Sequence, residues 1–303
     1  MDESRGRRGS LPQKPMGKAN LVVFWSIQAS ALLAFVYPPD AALVGLAVVS
    51  HFARMLGITL CFHRHMAHRA FALSRPVRFL FAWLGTSALQ KGPIWWAGNH
   101  VYHHRYADRN GDPHSPLISG FFHAHMGWFT NDIRWDRVDP ANPVVREFST
   151  YREMRWLDRY YAIPPILLAM GLFLAGGWPF LVYGFCVPTF TLAHSTFAIN
   201  SINHLFGSRR FETRDNSRNN FWTTIATLGE GWHNNHHRFQ RAARNGFYWW
   251  ELDPTYWMVK ALAWLGLASD LVPVPARVYA EARRLRAEPR TDTGRTTAEE
   301  LPA

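Results

Sequence analysis

The sequence predicts an all-α, polytopic membrane protein: four transmembrane helices in two hairpins, capped by helices on one side of the bilayer. Three observations predict it. Four apolar runs are paired around two short turns, Pro38-Pro39-Asp40 and Gly176-Gly177-Trp178-Pro179. All but one of the 33 Lys and Arg residues fall in the three segments 1–20, 62–160 and 200–303, the exception being Arg54. Three histidine clusters lie in those same segments.

Mean hydropathy over the 303 residues is −0.17, a value typical of soluble proteins. The average hides the long apolar runs. The formal net charge of +11 admits nucleic-acid binding as one reading. The placement of the charges excludes it, because a topological bias accounts for them. Cys61 and Cys186 are the only cysteines, and each sits in an apolar run. A disulfide framework is not expected, and the chain reads as intracellular-facing. The 14 Trp and 21 Phe suit a protein with membrane interfaces.

Taken in order, residues 1–18 read as a disordered basic tail and 19–282 as one domain. Spans are expected at about 21–37, 41–62, 160–175 and 179–200, since a crossing takes about 20 apolar residues. The second run ends on His63, so its helix should carry the first cluster out of the bilayer. Pro76–Leu89 is apolar but short and holds Arg78, which suits an interfacial helix. The cap comprises 63–159 and 201–282. In it, Pro254 marks a helix start and 257–272 reads as an amphipathic helix. Residues 283–303 are charged and Thr-rich, and read as a disordered tail. The positive-inside rule puts the cap and both termini in the cytoplasm.

The clusters are His63-Arg64-His65-Met66-Ala67-His68, His100-Val101-Tyr102-His103-His104 and His233-Asn234-Asn235-His236-His237. On a helix, H-x-x-H-H sets its last two histidines one turn beyond the first, on either side of it. Each triplet should then point at roughly one place. His63, His68, His100, His103, His104, His233, His236 and His237 make eight candidate ligands. His204 is a ninth, and Asn200 shares its helix face. Imidazole-only sets suit Fe, Zn, Cu or Ni, and this number suits two ions. Iron–sulfur chemistry is excluded by the lack of cysteine. Two irons here could reduce O2 and attack an unactivated C–H bond, and the membrane boundary points to a lipid substrate. Asp108, Asp112 and Glu230 are the acids expected to accept the second N–H of the ligands. His51, His65, His114, His123, His125 and His194 are not expected to be ligands.

With those residues in view, the chain resembles the integral-membrane fatty acid desaturases, in particular the acyl-CoA Δ9 (stearoyl-CoA type) group and its bacterial relatives. The resemblance covers roughly residues 20–260. It rests on Gly57-Ile58-Thr59, His63-Arg64, His68-Arg69, Gln90, Trp96, the second cluster, Asp112-Pro113-His114, Gly127-Trp128, Asn200, His204-Leu205-Phe206-Gly207, Asp215, Ser217-Arg218-Asn219 and Gly229–His237. It implies a di-iron (Fe2+) centre held by the nine histidines, with Asn200 acting through a water. It implies that a saturated acyl chain, most simply acyl-CoA, reacts with O2, two electrons and two protons to give a cis double bond, at Δ9. Gln90, Trp96 and Thr196 would shape the bend of the substrate tunnel.

Some positions depart from that pattern. Val101 stands where Arg is common, Asn99 where an acid is common, and Phe197 where animal enzymes have Trp. The basic residues that bind CoA phosphates there have no clear match, which leaves acyl-CoA, acyl-carrier protein and glycerolipid open. His51 and Ala47 lie where they could limit chain length. The chain has no electron-carrier domain, so a separate ferredoxin or cytochrome b5-like donor is implied. Arg105, Arg109, Arg238, Arg241 and Arg244 offer it a basic face. A hydroxylase on the same site is the nearest rival reading, and a metal transporter or sensor a more distant one. The expected location is an integral protein of a bacterial inner membrane.

Overall fold

A computed structural model describes residues 17–131 and 139–287. The predicted tails lie outside them except at their inner ends, where helix begins at Lys18 and persists to Ala287, five residues into the expected C-terminal tail.

The described residues are mostly helical. α1 (Lys18–Ser30) continues as a 3₁₀ turn to Phe35, and α2 (Ala41–Leu56) continues as a π-helix, Gly57–Ala67. Asp40 starts α2 by accepting from Leu43 N at 2.8 Å, an ordinary N-cap. A single antiparallel ladder, β1 (Ala72–Leu73) with β2 (Ala268–Ser269), ties the end of the first cluster to the C-terminal part of the domain. α3 (Arg75–Thr86) lies against the π-helix. Their approach is close: a Cβ on Gly57 would stand 2.1 Å from Gly85 N, so no side chain fits there. α4 (Pro93–Tyr106) carries the second cluster. Asp158 starts it from outside, accepting from Ile94 N at 3.0 Å and Trp95 N at 2.9 Å.

Four short helices follow: α5 (Pro116–Ser119), α6 (Trp128–Asn131), α7 (Pro143–Phe148) and α8 (Arg152–Arg159). α9 (Ile163–Leu181) and α10 (Val187–Ser201), joined by a π-helical turn, form one apolar run that ends in a 3₁₀ turn at His204. The run folds back on itself where Gly176 (φ −157°, ψ 21°) and Gly177 (φ 64°, ψ −151°) leave helical geometry. Gly184 then packs directly against Leu172. The first helix of this folded-back run begins at Ile163, where 160 was expected. α11 (Phe221–Ala226), α12 (His233–Arg238), α13 (Pro254–Trp264) and α14 (Ala276–Ala287) complete the cap.

Among the described residues, two helical runs are long and apolar enough to cross a membrane: Ala41–Ala67, with mean hydropathy 1.7, and Ile163–His204, with 1.9. Asn20–Phe35 is apolar but shorter. Val44, Val48, Val49, Ile166, Leu167, Met170 and Leu174 are exposed on these rods, an apolar surface that water would not tolerate and lipid would. The main core lies inward of them, where Met55, Ile58, Leu60 and Phe62 pack with Phe81, Ala97, Leu157 and Val259. Cys61 and Cys186 are both unpaired and buried.

Candidate metal centre

The first cluster works because its helix is not an α-helix. Five residues along an α-helix turn about 140° away from the start. In the π-helical stretch hydrogen bonds run from i to i+5. His68 N accordingly donates to His63 O at 3.2 Å, and the two rings meet with centroids 4.8 Å apart. α4 and α12 supply the triplets, and His204 comes from the turn after α10.

The nine histidines gather into two adjoining groups. His63, His68, His100, His104 and His236 form one, and His103, His204, His233 and His237 the other, with ligand nitrogens in each group within 4.8 Å of one another. This corrects the expectation that each triplet points at one place. Positions i+3 and i+4 are 100° apart on a helix, so they diverge. From α4 the i,i+4 pair His100 and His104 enters the five-membered group while His103 crosses to the other. From α12 the pair His233 and His237 enters the four-membered group while His236 crosses back. Each triplet helix thus serves both groups.

The ring nitrogens meet at short range. Nε2 separations are 3.1 Å for His63–His236, 2.9 Å for His68–His100, 2.9 Å for His100–His104, 3.0 Å for His104–His236 and 3.1 Å for His204–His233. Carboxylates on the far side fix which nitrogen bears the proton. Asp112 Oδ1 lies 3.0 Å from His103 Nδ1, Asp108 Oδ2 2.8 Å from His204 Nδ1, Asp215 Oδ2 2.8 Å from His237 Nδ1, and Glu230 Oε2 2.7 Å from His63 Nδ1. With Nδ1 protonated in these four, the Nε2 lone pairs of His63 and His204 face His236 and His233, as ligands of an ion would. For metal–nitrogen bonds of about 2.1 Å, ligands at right angles stand about 3.0 Å apart, which matches the observed edges. Five imidazoles in one group exceed the four of a structural zinc. The donor set fits two ions such as iron.

The electrostatics agree. Burial, then the neighbouring imidazoles, hold His68, His100, His104, His233 and His236 well below the usual histidine range, in the neutral form that ligates. Burial pushes His103 the same way, but Asp112 outweighs it and its affinity for a proton rises. Burial would raise Asp112 and Asp215, yet His103 and His237 hold both carboxyls far below their ordinary value.

The three acids expected from the sequence stand at the cage, and a fourth, Asp215, was missed. It lies 22 residues before His237; the resemblance includes it, but the need for one acceptor per ligand was not extended to it. Arg64 was missed as well. Its side chain is buried, donates to Glu230 Oε1 at 2.9 and 3.1 Å and lies 2.9 Å from Asp253 Oδ1. Asp253 in turn starts α13 through Tyr256 N. Of the histidines not expected to ligate, His65 bonds Phe71 O, His123 bonds Pro113 O and His125 bonds Ser201 and His194. His51 bridges Thr191 and Ala226 O, and His114 stands beside Asp112.

Two cavities open beside the cage and share Trp96, His100, Thr196 and Asn200. One reaches Asn99, Pro113, Trp128 and Phe129. The other runs past His63, His103 and His233 to Met55, Ile58 and Thr59 on α2. At the shared wall Trp96 Nε1 donates to Gln90 Oε1 at 3.2 Å, and Gln90 Nε2 donates to Thr196 Oγ1 at 2.7 Å. Leu89 and Lys91 both adopt positive φ, 61° and 69°, and turn Gln90 into this chain at some backbone cost. Asn200 faces both cavities. His51 and Ala47 are not among the lining residues.

Residues 39–267 match the fatty acid desaturase family. The chain belongs to that family. It is 40% identical over 263 residues to a palmitoyl-monogalactosyldiacylglycerol delta-7 desaturase of Arabidopsis thaliana, covering 85% of this chain and 69% of that desaturase. It is 40% identical over 229 residues to an acyl-CoA C20 Delta5-desaturase of Anemone leveillei, covering 74% and 72%. To the sn-2 palmitoyl-lipid 9-desaturase of a Nostoc species it is 38% identical over 280 residues, covering 88% and 94%. Desaturases of CoA esters and of membrane lipids thus stand at similar distances from this one.

Proposed function

We propose that this protein is an O2-dependent desaturase that places a cis double bond, at Δ9, in a saturated acyl chain. The observation that carries the reading is the pair of histidine groups beside two adjoining cavities lined mainly by apolar and aromatic side chains. Two irons held by the nine histidines supply the oxidising power, drawn from O2 and two electrons, for removing hydrogen from unactivated methylenes. The protein's own residues do the rest. Trp96, Gln90 and Thr196 bend the acyl chain and hold one pair of methylenes against the cage. Met55, Ile58 and Thr59 enclose its end and exclude water. Asn200 reaches the ion site through a water, and the acids set the ligands' orientation.

The membrane arrangement follows the same reading. α1 with its 3₁₀ extension, the apolar part of α2, α9 and α10 are four spans in two hairpins, and the basic cap and both termini are cytoplasmic, in a bacterial inner membrane. The acyl group is carried as a CoA ester. A second reading, with a glycerolipid as substrate, is favoured by Leu117, Ile118, Phe121 and Phe122. These are exposed beside Pro113 and Trp128 of the first cavity, where a lipid could enter sideways.

The test is a fatty acid profile. The chain is expressed in a host without desaturases but with a ferredoxin and its reductase, beside His233→Ala. A new monoene, two mass units below its parent and lost in the variant, is the expected result, with the bond located by derivatisation. A product sixteen units heavier would move the reading to hydroxylation. No new lipid together with no bound iron would overturn it.

A further inference from the structure

α14 lies beyond the stretch that matches the family. Its inner face packs Val278 and Ala282 on Phe211, Ala242 and Phe247. Arg238, at the end of α12, pairs with Glu281, and the Tyr279 hydroxyl donates to Phe247 O at 2.8 Å. The helix is therefore fixed to the loops that carry the third cluster. Its outer side presents Arg283 and Arg286 across an open groove to Arg209, Arg210, Tyr248 and Trp250. No carboxylate lines the groove among the described residues. Glu251 is buried and pairs with Arg210 at 2.5 Å. Tyr248 and Trp250 stack at 4.6 Å, and Trp250 is 57% exposed.

The groove's floor is joined to both metal groups. Arg210 Nη1 donates to Asn235 Oδ1 at 3.0 Å, and Asn235 adjoins His236 of the five-membered group. Arg209 Nη2 donates to Asp215 O at 2.9 Å, and the Asp215 carboxylate holds His237 of the four-membered group. Asn235 is two residues from His233, about 200° around α12. His233 lines the acyl cavity, so along α12 the residue joined to the groove and the residue that lines the cavity point in opposite directions. The basic face expected from the sequence is partly consumed elsewhere, since Arg238 is paired and Arg244 donates to Tyr248 O at 2.7 Å.

We propose that this groove docks an acidic one-electron carrier, an iron–sulfur or haem protein. The proposal rests on the desaturase reading. There, R–CH2–CH2–R′ with O2, two electrons and two protons gives R–CH=CH–R′ and two waters, so two carriers are each oxidised by one electron per turnover. A positive groove with an aromatic floor attracts and orients such a partner. One hydrogen bond and one residue then separate it from His236, and two hydrogen bonds through Asp215 separate it from His237.

The test uses the full-length, iron-loaded protein in phosphatidylcholine nanodiscs and an acidic [2Fe–2S] ferredoxin as probe. Arg283→Glu/Arg286→Glu should weaken ferredoxin binding about tenfold or more at low salt, with the difference shrinking at high salt. The KM for ferredoxin should rise in parallel while kcat at saturating carrier holds. Arg286→Glu alone should give an intermediate loss, and iron content and Tm report whether each variant is folded. Unchanged binding in the double variant, or no binding by the parent protein, would overturn the proposal. So would loss of binding to phosphatidylglycerol vesicles with ferredoxin binding kept, which would assign the groove to an anionic membrane surface. Binding is read without turnover. A failed desaturase reading shows as absent product, and a failed docking site as product formed with unchanged affinity.

Discussion

The two halves of the histidine cage are built from the same ligand type and are held differently. In the four-membered group three of the imidazoles meet a carboxylate: His103 with Asp112, His204 with Asp108 and His237 with Asp215. In the five-membered group, among the described residues, only His63 does, through Glu230. His104 Nδ1 and His236 Nδ1 are buried with no hydrogen-bond partner. The acids differ in their own support as well. Backbone amides hold the three: Asn216 N for Asp108, Asp108 N and His114 N for Asp112, Ser217 N for Asp215. A buried guanidinium, Arg64, holds Glu230. Partner carboxylates raise ligand basicity and fix ring orientation. The four-membered group is therefore the more firmly supported of the two, with more negative charge around it. The five-membered group relies on ligand number and on one arginine.

Removing that arginine should have the largest effect. Arg64→Ala leaves Glu230 and Asp253 buried without their shared guanidinium, which costs about 3–5 kcal/mol. A lower Tm is expected, with iron lost from the five-membered group first. Iron stoichiometry and Mössbauer spectra of the purified variant read this directly. Equal loss from both groups would mean that the halves are not independently supported.

The next effect in size is on metal affinity. Asp215→Asn keeps the shape and removes the charge, and should weaken ion binding in the four-membered group about 10–100-fold. Chelator competition on the parent protein should show two phases, and the variant should bring them together. Glu230→Gln should instead separate them further, because it weakens the half that already releases its ion first. A single phase in the parent protein would break the comparison.

The halves also differ in how far they could be read from the sequence. The apolar runs are legible because lipid demands length and hydropathy, which are local properties. The histidines are legible because their spacing is helical and their number is high. What was not legible is which histidine joins which group. That depends on the π-helical turn at Gly57–Ala67 and on how α4 and α12 face each other, and neither is written locally. The support was half hidden for the same reason. Asp108 and Asp112 follow the second cluster closely and were picked out. Glu230 was picked out for adjoining the third cluster, yet its cation, Arg64, is 166 residues away. Asp215 reaches His237 only because the chain doubles back through the Ser208–Asn219 and Asn219–Trp232 bridges. The first apolar run is shifted rather than shortened: its helix begins at Lys18 and its 3₁₀ continuation ends at Phe35, against the expected 21–37.

The smallest prediction separates burial from charge as the origin of these differences. Arg75 and Glu153 form an ion pair as short as any in the cage, with Nε 2.7 Å from Oε1. The hydrogen bond from Arg75 holds Glu153 down at about 2, against an ordinary 4.5. The sign follows from linkage: a depressed carboxyl stabilises the folded state above pH 4.5, and this is lost as pH falls toward 2. Arg75 is 64% exposed, so water and salt screen the pair and its contribution should be slight. Arg75→Ala should leave iron content untouched and shift Tm barely, and the shift should vanish in high salt. If Arg75→Ala instead cost as much as Arg64→Ala, charge pairing by itself would account for the support of Glu230. The contrast between the two halves of the cage would then have to be sought in ligand number rather than in buried carboxylates.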